Sequence, residues 1–319
     1  MNKHLLVTGG AGFIGSNFIS YLLSNSTYYI TNVDYLTYAG TYENIQPFEK
    51  SNRYRFIKCD IGKDNDLRSV FDQEYETIIN FAAESHVDRS IMDATPFIET
   101  NINGTFNLLK AVLSGKARKM IQISTDEVYG SLQPTEPPFT EETPLAPNNP
   151  YSASKGSADL LVRSFFKTHQ LPLIITRCSN NYGPMQYTEK FIPKVISNAL
   201  NDIPIPLYGD GLNIRDWIYV EDHCRAIHTV LEKGVAGEIY NIGASEEKTN
   251  LEVIQMILKQ LKKDPILINY IEDRKGHDRR YSMDSSKITK ELGWKPIVSF
   301  DDGVKKTIDW YKQRVLERR

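Results

Sequence analysis

Long apolar runs are missing from this chain. The opening MNKHLLVTGG has three consecutive apolar residues before polar residues and glycine take over, too few for a signal-peptide core. No stretch approaches the ~20 apolar residues of a membrane-spanning helix, so a soluble, unprocessed protein is expected. Cysteine is scarce: Cys59, Cys178 and Cys224 are far apart and odd in number. That argues against a disulfide framework or a cysteine-built zinc site and fits a reducing cytoplasm. An excess of one charge is also absent, with 38 Lys and Arg against 40 Asp and Glu and a net charge of -2. Such a balance leaves no electrostatic footprint for nucleic acid or an anionic membrane. There is no internal repeat and no low-complexity linker. What remains is a chain of 319 residues, about two domains' worth at ~150 residues each.

Short β-branched runs recur along the first half: HLLVTG, YITNVD, YRFIKCD, TIINFAA, KMIQIS and LPLIITRCS. Between them FIGSNFISYLLS, DLRSVFDQ, TNINGTFNLLKAVL and SASKGSADLLVRSFFKTH place apolar residues at three- and four-residue intervals, as helices do. Strands alternating with helices predict an α/β fold with a doubly wound parallel sheet. After Asn181 proline, glycine and charge increase, which predicts a first domain over 1–180 and a smaller C-terminal α/β substrate domain over 181–319. The segments near 215–243, with RDWIYVEDHCRAIHTVLEKG and EIYNIG, are candidates to return to the first domain.

VTGGAGFIG ends the first strand and opens the first helix. Gly10, Gly12 and Gly15 fill GxGxxG, and Gly9, Gly12 and Gly15 fill GxxGxxG. Glycines there permit a tight turn and let a pyrophosphate approach the helix's free N–H groups, the Rossmann dinucleotide fingerprint. Asp34 stands 19 residues beyond Gly15 at the end of the second strand, where an acid accepts hydrogen bonds from ribose hydroxyls. The residues after it, Tyr35, Leu36 and Thr37, are also read as cofactor contacts, and they bring no arginine for a 2′-phosphate, so NAD is expected over NADP. The plain alternative for Asp34 is a turn residue.

Two further stretches bear chemistry. STDEVYG, residues 124–130, sets Asp126 and Glu127 side by side at the end of a buried strand. Its plain reading is a helix start, since Ser124 to Glu127 has capping-box spacing. Its sharper reading is an acid and a base serving one substrate, because elimination of water needs one group to take a proton and another to give one. Repulsion and burial would keep at least one carboxyl protonated. NNPYSASKGS supplies Tyr151 and Lys155 on one helix face, with Asn149 as cap and Pro150 at the first position. A nearby ammonium and a positive nicotinamide ring are expected to lower the phenol's pKa and make it a proton acceptor.

By TGGAGFIG, STDEVYG and YSASK the chain resembles the extended short-chain dehydrogenase/reductase superfamily over nearly its whole length. NVDYLTYAG, FAAESHVDRS, TDEVYG, SNNYGP, RDWIYVEDH and DRKGHDRRY are similar to the dTDP-glucose 4,6-dehydratases within it. The resemblance implies that Tyr151 takes the C4 hydroxyl proton as hydride leaves C4, that Glu127 takes the C5 proton, that Asp126 protonates the departing C6 hydroxyl, and that Thr125 donates to the C4 oxygen. It implies NAD contacts at Phe13, Ile14, Asp34, Asp60, Ile61, Ala82, Ala83, Thr100, Tyr151, Lys155 and Asn181. Sugar-nucleotide contacts are implied at Ser85, Asn180, Lys190, Phe191, Pro206, Tyr208, Arg215, Asn250, Arg274 and His277. Lys190, Arg215 and Arg274 suit a diphosphate, and Tyr208 suits stacking on a base. Lys275 and Tyr35 depart from residues common in those relatives but are not catalytic positions. His223 and His228 do not face each other, so no metal is assigned, and His86 reads equally well as structural. A homodimer through helices near 100–113 and 151–166, and deoxysugar supply for rhamnose, also follow from the resemblance. The competing readings are a 4,6-dehydratase or 4-epimerase for another nucleotide sugar such as a UDP-sugar, and a non-catalytic dinucleotide sensor.

Overall fold

The computed structural model describes residues 3–273 and 276–317. The first six strands are β1 (His4–Thr8), β2 (Tyr29–Asp34), β3 (Tyr54–Lys58), β4 (Thr77–Asn80), β5 (Met120–Thr125) and β6 (Leu173–Cys178), one in each of the predicted runs. After them come β7 (Asn180–Tyr182), β8 (Ile205–Tyr208), β9 (Ile214–Tyr219), β10 (Ile239–Ile242), β11 (Glu247–Thr249) and β12 (Ile268–Ile271). Seven form one sheet in the order β10-β6-β5-β4-β1-β2-β3, with every pairing parallel. The sheet is doubly wound about β1, where the strand order reverses.

Side chains alternate across this sheet as the strand period of two requires. Leu5, Val7, Ile79 and Ile121 face one side, under the helices Phe13–Asn25 and Val220–Lys233, which contribute Phe18, Ile19, Leu22, Ile227 and Val230. Leu6, Ile78 and Met120 face the other, under Thr105–Leu113 and Pro150–His169, with Leu108, Leu109, Val112 and Val162. Both faces are dry, which is why these strands read as continuous apolar runs.

A second core gathers Tyr182, Ile192, Val195, Trp217, Val253, Ile257 and Phe300. Around it lie β11-β9-β7, β12-β8 and the helices Phe191–Leu200, Asn250–Leu261 and Phe300–Glu317. The chain crosses between the two cores, since β9 pairs with β7 and β11 while the next helix and β10 lie on the large sheet.

Two helical readings differ from the structure. DLRSVFDQ is helical only at its start, in Asp64–Leu67. TNINGTFNLLKAVL is interrupted, because Ile98–Gly104 is a π-helical segment before the α-helix resumes. Asn101 helps fix that widened turn: its side chain accepts from Glu84 N at 2.9 Å and donates to Glu84 O at 3.0 Å and Ser154 Oγ at 2.8 Å. Gly104 lies so close to Ile61 that a Cβ would stand 2.6 Å from its Cδ1.

Asp222 anchors the C-terminal segment. Its side chain is buried, and Oδ2 accepts from Ile297 N at 2.9 Å and Val298 N at 2.8 Å. Arg225 pairs with its other oxygen. Asp222→Ala is therefore expected to lower the unfolding free energy by roughly 3 kcal/mol, because the two amides and the arginine lose a charged acceptor. Urea titration would show the midpoint falling at unchanged slope; a change below about 0.5 kcal/mol would place the anchor elsewhere.

Candidate active site

A cleft of about 470 Å³ opens at the carboxyl ends of the central strands, where β1 separates β2 from β4. Gly9, Gly12, Phe13, Ile14, Gly15, Asp34, Tyr35, Thr37, Asp60, Ile61, Ala82, Ala83, Thr100, Tyr151, Lys155 and Asn181 all line it. So do Ser85, Thr125, Asp126, Glu127, Asn180 and Lys190. Leu36 does not. Its backbone turns to a φ of 57° and its amide donates to Asp34 Oδ1 at 2.8 Å, while its side chain packs on the core.

At one end the glycine loop meets the backbone of β4's exit. Gly9 has a φ of 71°, and a Cβ there would lie 2.5 Å from Ala82 N. The helix Phe13–Asn25 starts from Gly12 without a side-chain cap, so its first N–H groups have no side chain competing for them. Asp34 Oδ2 accepts from Ala11 N at 2.9 Å, tying the loop to the end of β2. A dinucleotide fits these groups: bare amides for its pyrophosphate, a carboxylate at the second strand's end, and glycine where any side chain would clash.

At the other end is the acid pair. The expected capping box of Ser124 and Glu127 is not what forms. Thr125 caps instead, accepting from Glu127 N at 3.3 Å, and the chain makes a single 3₁₀ turn over Asp126–Tyr129. Asp126 is 2% exposed, with Oδ2 buried and unpartnered while Thr125 Oγ1 donates to Oδ1 at 3.2 Å. Burial first, then the charges of Glu127 and Asp216, push its carboxyl well above the usual carboxylate range; Arg215 and Thr125 oppose this. Glu127, the next residue, is only partly buried. The site thus sets a buried carboxyl whose uncharged form is favoured beside a second, more open carboxyl group.

Tyr151 and Lys155 enter from the helix Pro150–His169, begun by an Asn149–Ser152 capping box with Pro150 in its first turn. Lys155 Nζ donates to Ile123 O at 2.7 Å. The expected lowering of the Tyr151 phenol is not supplied by the protein's own groups. Burial pushes it well above its ordinary value, Glu127, Cys178 and Asp126 push the same way, and only the hydrogen bond with Thr125 pulls it down. Lys155 is itself pulled down by burial.

The remaining substrate-side candidates lie outside the lining. Arg215 is buried behind the acid pair, its guanidinium 4.2 Å from the Tyr281 ring centre and Nη2 donating to Asp278 O at 2.9 Å. Tyr208 packs edge-on against His277, which bonds Asp273 at 2.6 Å. Phe191 stacks on Trp217, Pro206 sits on β8, and Asn250 opens a helix. Arg274 lies outside the described residues. Glu84, Ser124, Cys178, Gln186 and Tyr187 line the cleft without having been singled out; Glu84 and Ser124 sit inside motifs already read, whereas Tyr187 has no spacing signal. His223 is fully buried and pushed down to about 3, a neutral ring whose Nδ1 holds Asn181 Oδ1 at 2.9 Å. No metal-holding group of His, Cys, Asp and Glu occurs among the described residues.

Residues 6–307 match the family described as GDP-mannose 4,6 dehydratase. The chain is 51% identical over 307 residues to the low-salt glycan biosynthesis protein Agl12 of Haloferax volcanii, covering 96% of this chain and 98% of that one. It is 47% identical to a dTDP-glucose 4,6-dehydratase of Neisseria gonorrhoeae, covering 99% and 98%. The crystal structure of DesIV, a dTDP-glucose 4,6-dehydratase from Streptomyces venezuelae with NAD bound, superposes with a TM-score of 0.94 at 46% identity, covering 97% of each chain.

The clash at Gly9 makes a direct test of the dinucleotide end. Gly9→Ala is expected to weaken NAD binding about tenfold or more, because the new side chain meets backbone and strains a left-handed residue. Calorimetric titration with NAD measures it, and unchanged affinity would mean that the glycine loop does not hold the pyrophosphate.

Proposed function

We propose that this chain, which belongs to the GDP-mannose 4,6 dehydratase family, is an NAD-dependent dTDP-glucose 4,6-dehydratase, a hydro-lyase that forms dTDP-4-dehydro-6-deoxy-glucose and water. The observation that carries the reading is the unlike burial of Asp126 and Glu127 beside Tyr151. An enzyme that only oxidises and re-reduces C4 needs Tyr151 and Lys155 but no acid pair.

When bound, NAD would supply a hydride acceptor and donor for C4 and C6. Gly9, Gly12, Gly15 and Asp34 would hold it, with Tyr35, Thr37, Asp60, Ile61, Ala82, Ala83, Thr100 and Asn181 along its length. Tyr151 accepts the C4 hydroxyl proton, and Thr125, already bonded to that phenol, steadies the C4 oxygen. The ketone acidifies C5, from which Glu127 removes the proton. Asp126 gives its proton to the C6 hydroxyl, which leaves as water, and Glu127 returns a proton to C5 as C6 regains hydride. Ser85, Asn180 and Lys190 border the sugar end, while Arg215, Tyr208, Asn250, His277 and Arg274 serve the nucleotide.

Residues 1–180, with the helix Val220–Lys233 and β10, act as the dinucleotide part, and the rest of 181–319 as the sugar-nucleotide part. The chain works as a homodimer: Phe106, Leu113 and Leu160 expose apolar side chains on the two helical segments read as the interface. Three free, buried cysteines suit the cytoplasm, and no helix of the described residues is long and apolar enough to cross a membrane. The product supplies deoxysugar synthesis, with rhamnose the expected end.

Substituting each acid should stall the reaction at a different step. Tyr151→Phe fails before reduced nicotinamide forms. Glu127→Gln forms it but loses exchange of the C5 hydrogen with solvent, whereas Asp126→Asn oxidises C4 and cannot release the C6 hydroxyl. Each variant is expected to make product about 10²- to 10⁴-fold more slowly. Single-turnover absorbance with solvent-deuterium exchange resolves the steps, and wild-type product rates in both acid variants would remove the acid pair from the mechanism. Wild-type activity should itself fall as pH rises through the Asp126 pKa, since that group must carry its proton.

Substrate choice is tested separately. Sugar deuterated at C4 should carry the label at C6 of the product, and dTDP-glucose should be turned over with much higher kcat/KM than UDP-glucose. Equal efficiency on both nucleotides would broaden the assignment.

A further inference from the structure

Tyr129 of STDEVYG takes no part in the chemistry above, yet it is buried. Its hydroxyl donates to Asn241 Oδ1 at 2.8 Å and accepts from Arg177 Nη1 at 2.8 Å, and the Arg177 guanidinium lies 4.7 Å from its ring centre. Arg177 Nε in turn donates to Asp159 Oδ2 at 2.9 Å, an ion pair with side chains only 4% and 1% exposed. Asn241 completes the chain by donating from Nδ2 to Phe139 O at 3.1 Å.

Asp159 follows Lys155 by four residues on one helix, as Lys155 follows Tyr151, so all three share a face. Lys155 reaches Ile123 O on β5, while the second Asp159 oxygen, Oδ1, is buried without a hydrogen-bond partner. Around Tyr151 and Lys155 stand Ser124, Thr125, Asp126 and Glu127 from β5 and its turn, Arg177 and Cys178 from β6, and Asp159 from their own helix. Burial works against the Lys155 ammonium, and Asp159 is the leading opposing charge, with Cys178 the other.

We propose that Asp159 is a positioning residue that keeps Lys155 charged, and so sets the pH above which Tyr151 can accept the C4 hydroxyl proton, with Arg177, Tyr129 and Asn241 fixing its carboxylate. The inference rests on the reading of Tyr151 and Lys155 as base and supporting cation. A charged Lys155 favours the phenolate; a neutral one leaves the phenol high, so loss of Asp159 moves the acidic limb of the first step upward.

Asp159→Asn alone strands the buried Arg177 and can unfold the chain, so the decisive variant is Asp159→Asn combined with Arg177→Met. The NAD-bound protein is labelled with carbon-13 at the tyrosine ring carbon bearing the hydroxyl, and the Tyr151 signal is identified by its loss in Tyr151→Phe. In the double variant the Tyr151 titration is expected to move up by about one pH unit, the size of effect a nearby charge exerts. The acidic limb of single-turnover nicotinamide reduction should move with it, at little change in KM. A carboxylate that served only to neutralise Arg177 would leave the double variant with the wild-type titration, and that result overturns the proposal. Wild-type protein that does not turn over dTDP-glucose would instead count against the functional reading, leaving the tyrosine titration to decide the role of Asp159.

Discussion

The hydrogen bond from Lys155 Nζ to the Ile123 carbonyl, at 2.7 Å, joins the two elements on which the site rests: the end of β5 and the first turns of the helix Pro150–His169. β5 is buried along all six residues and paired on both sides, so its end is held by its neighbours in the sheet. The helix carries Tyr151 and Lys155 at fixed rotation from its cap. With β5 and the helix so joined, the phenol, the Thr125 hydroxyl and both carboxyls are placed by the fold itself, as catalytic geometry requires.

That placement is costly in a low-dielectric interior. Asp126, Tyr151, Lys155, Asp159 and Arg177 are all nearly sealed from water, and an ionised group there needs a partner. The structure meets the demand in two ways. Asp159 and Arg177 pair with each other, whereas burial and the neighbouring acids push the Asp126 carboxyl up and so favour its uncharged form.

What could be read from the residues alone was whatever depends on local sequence. Alternating apolar strands, the glycine loop, the Asn149 cap and the acid pair each announce themselves within a few positions. The π-helical turn at Ile98–Gly104 does not, because it is set by Asn101 bonding to Glu84 and Ser154 and by Gly104 pressing on Ile61, contacts distant in sequence. DLRSVFDQ carried helical spacing but too few residues to sustain a helix once the chain turned. The upward push on the Tyr151 phenol was hidden for a related reason: spacing shows that Lys155 is near, but not that the phenol is sealed from water beside two acids. Leu36 was read as a cofactor contact from its place after Asp34, whereas its positive φ sends the side chain into the core.

The adjacency of two acids is explained by the turn they occupy. In a 3₁₀ helix successive side chains are about 120° apart, so neighbours in sequence need not face the same surroundings. Asp126 lines the cleft from a buried position near Asp216 and Arg215, while Glu127 lines it from a partly open one. A longer α-helix begun at Ser124 would have set both acids in its solvent-facing first turn, where carboxylates are favoured as anions and neither would keep a proton. Thr125 prevents this by taking the cap position itself and bonding Glu127 N. A one-residue shift of the cap thus turns a helix-start sequence into two adjacent carboxyls of unlike burial at one cleft.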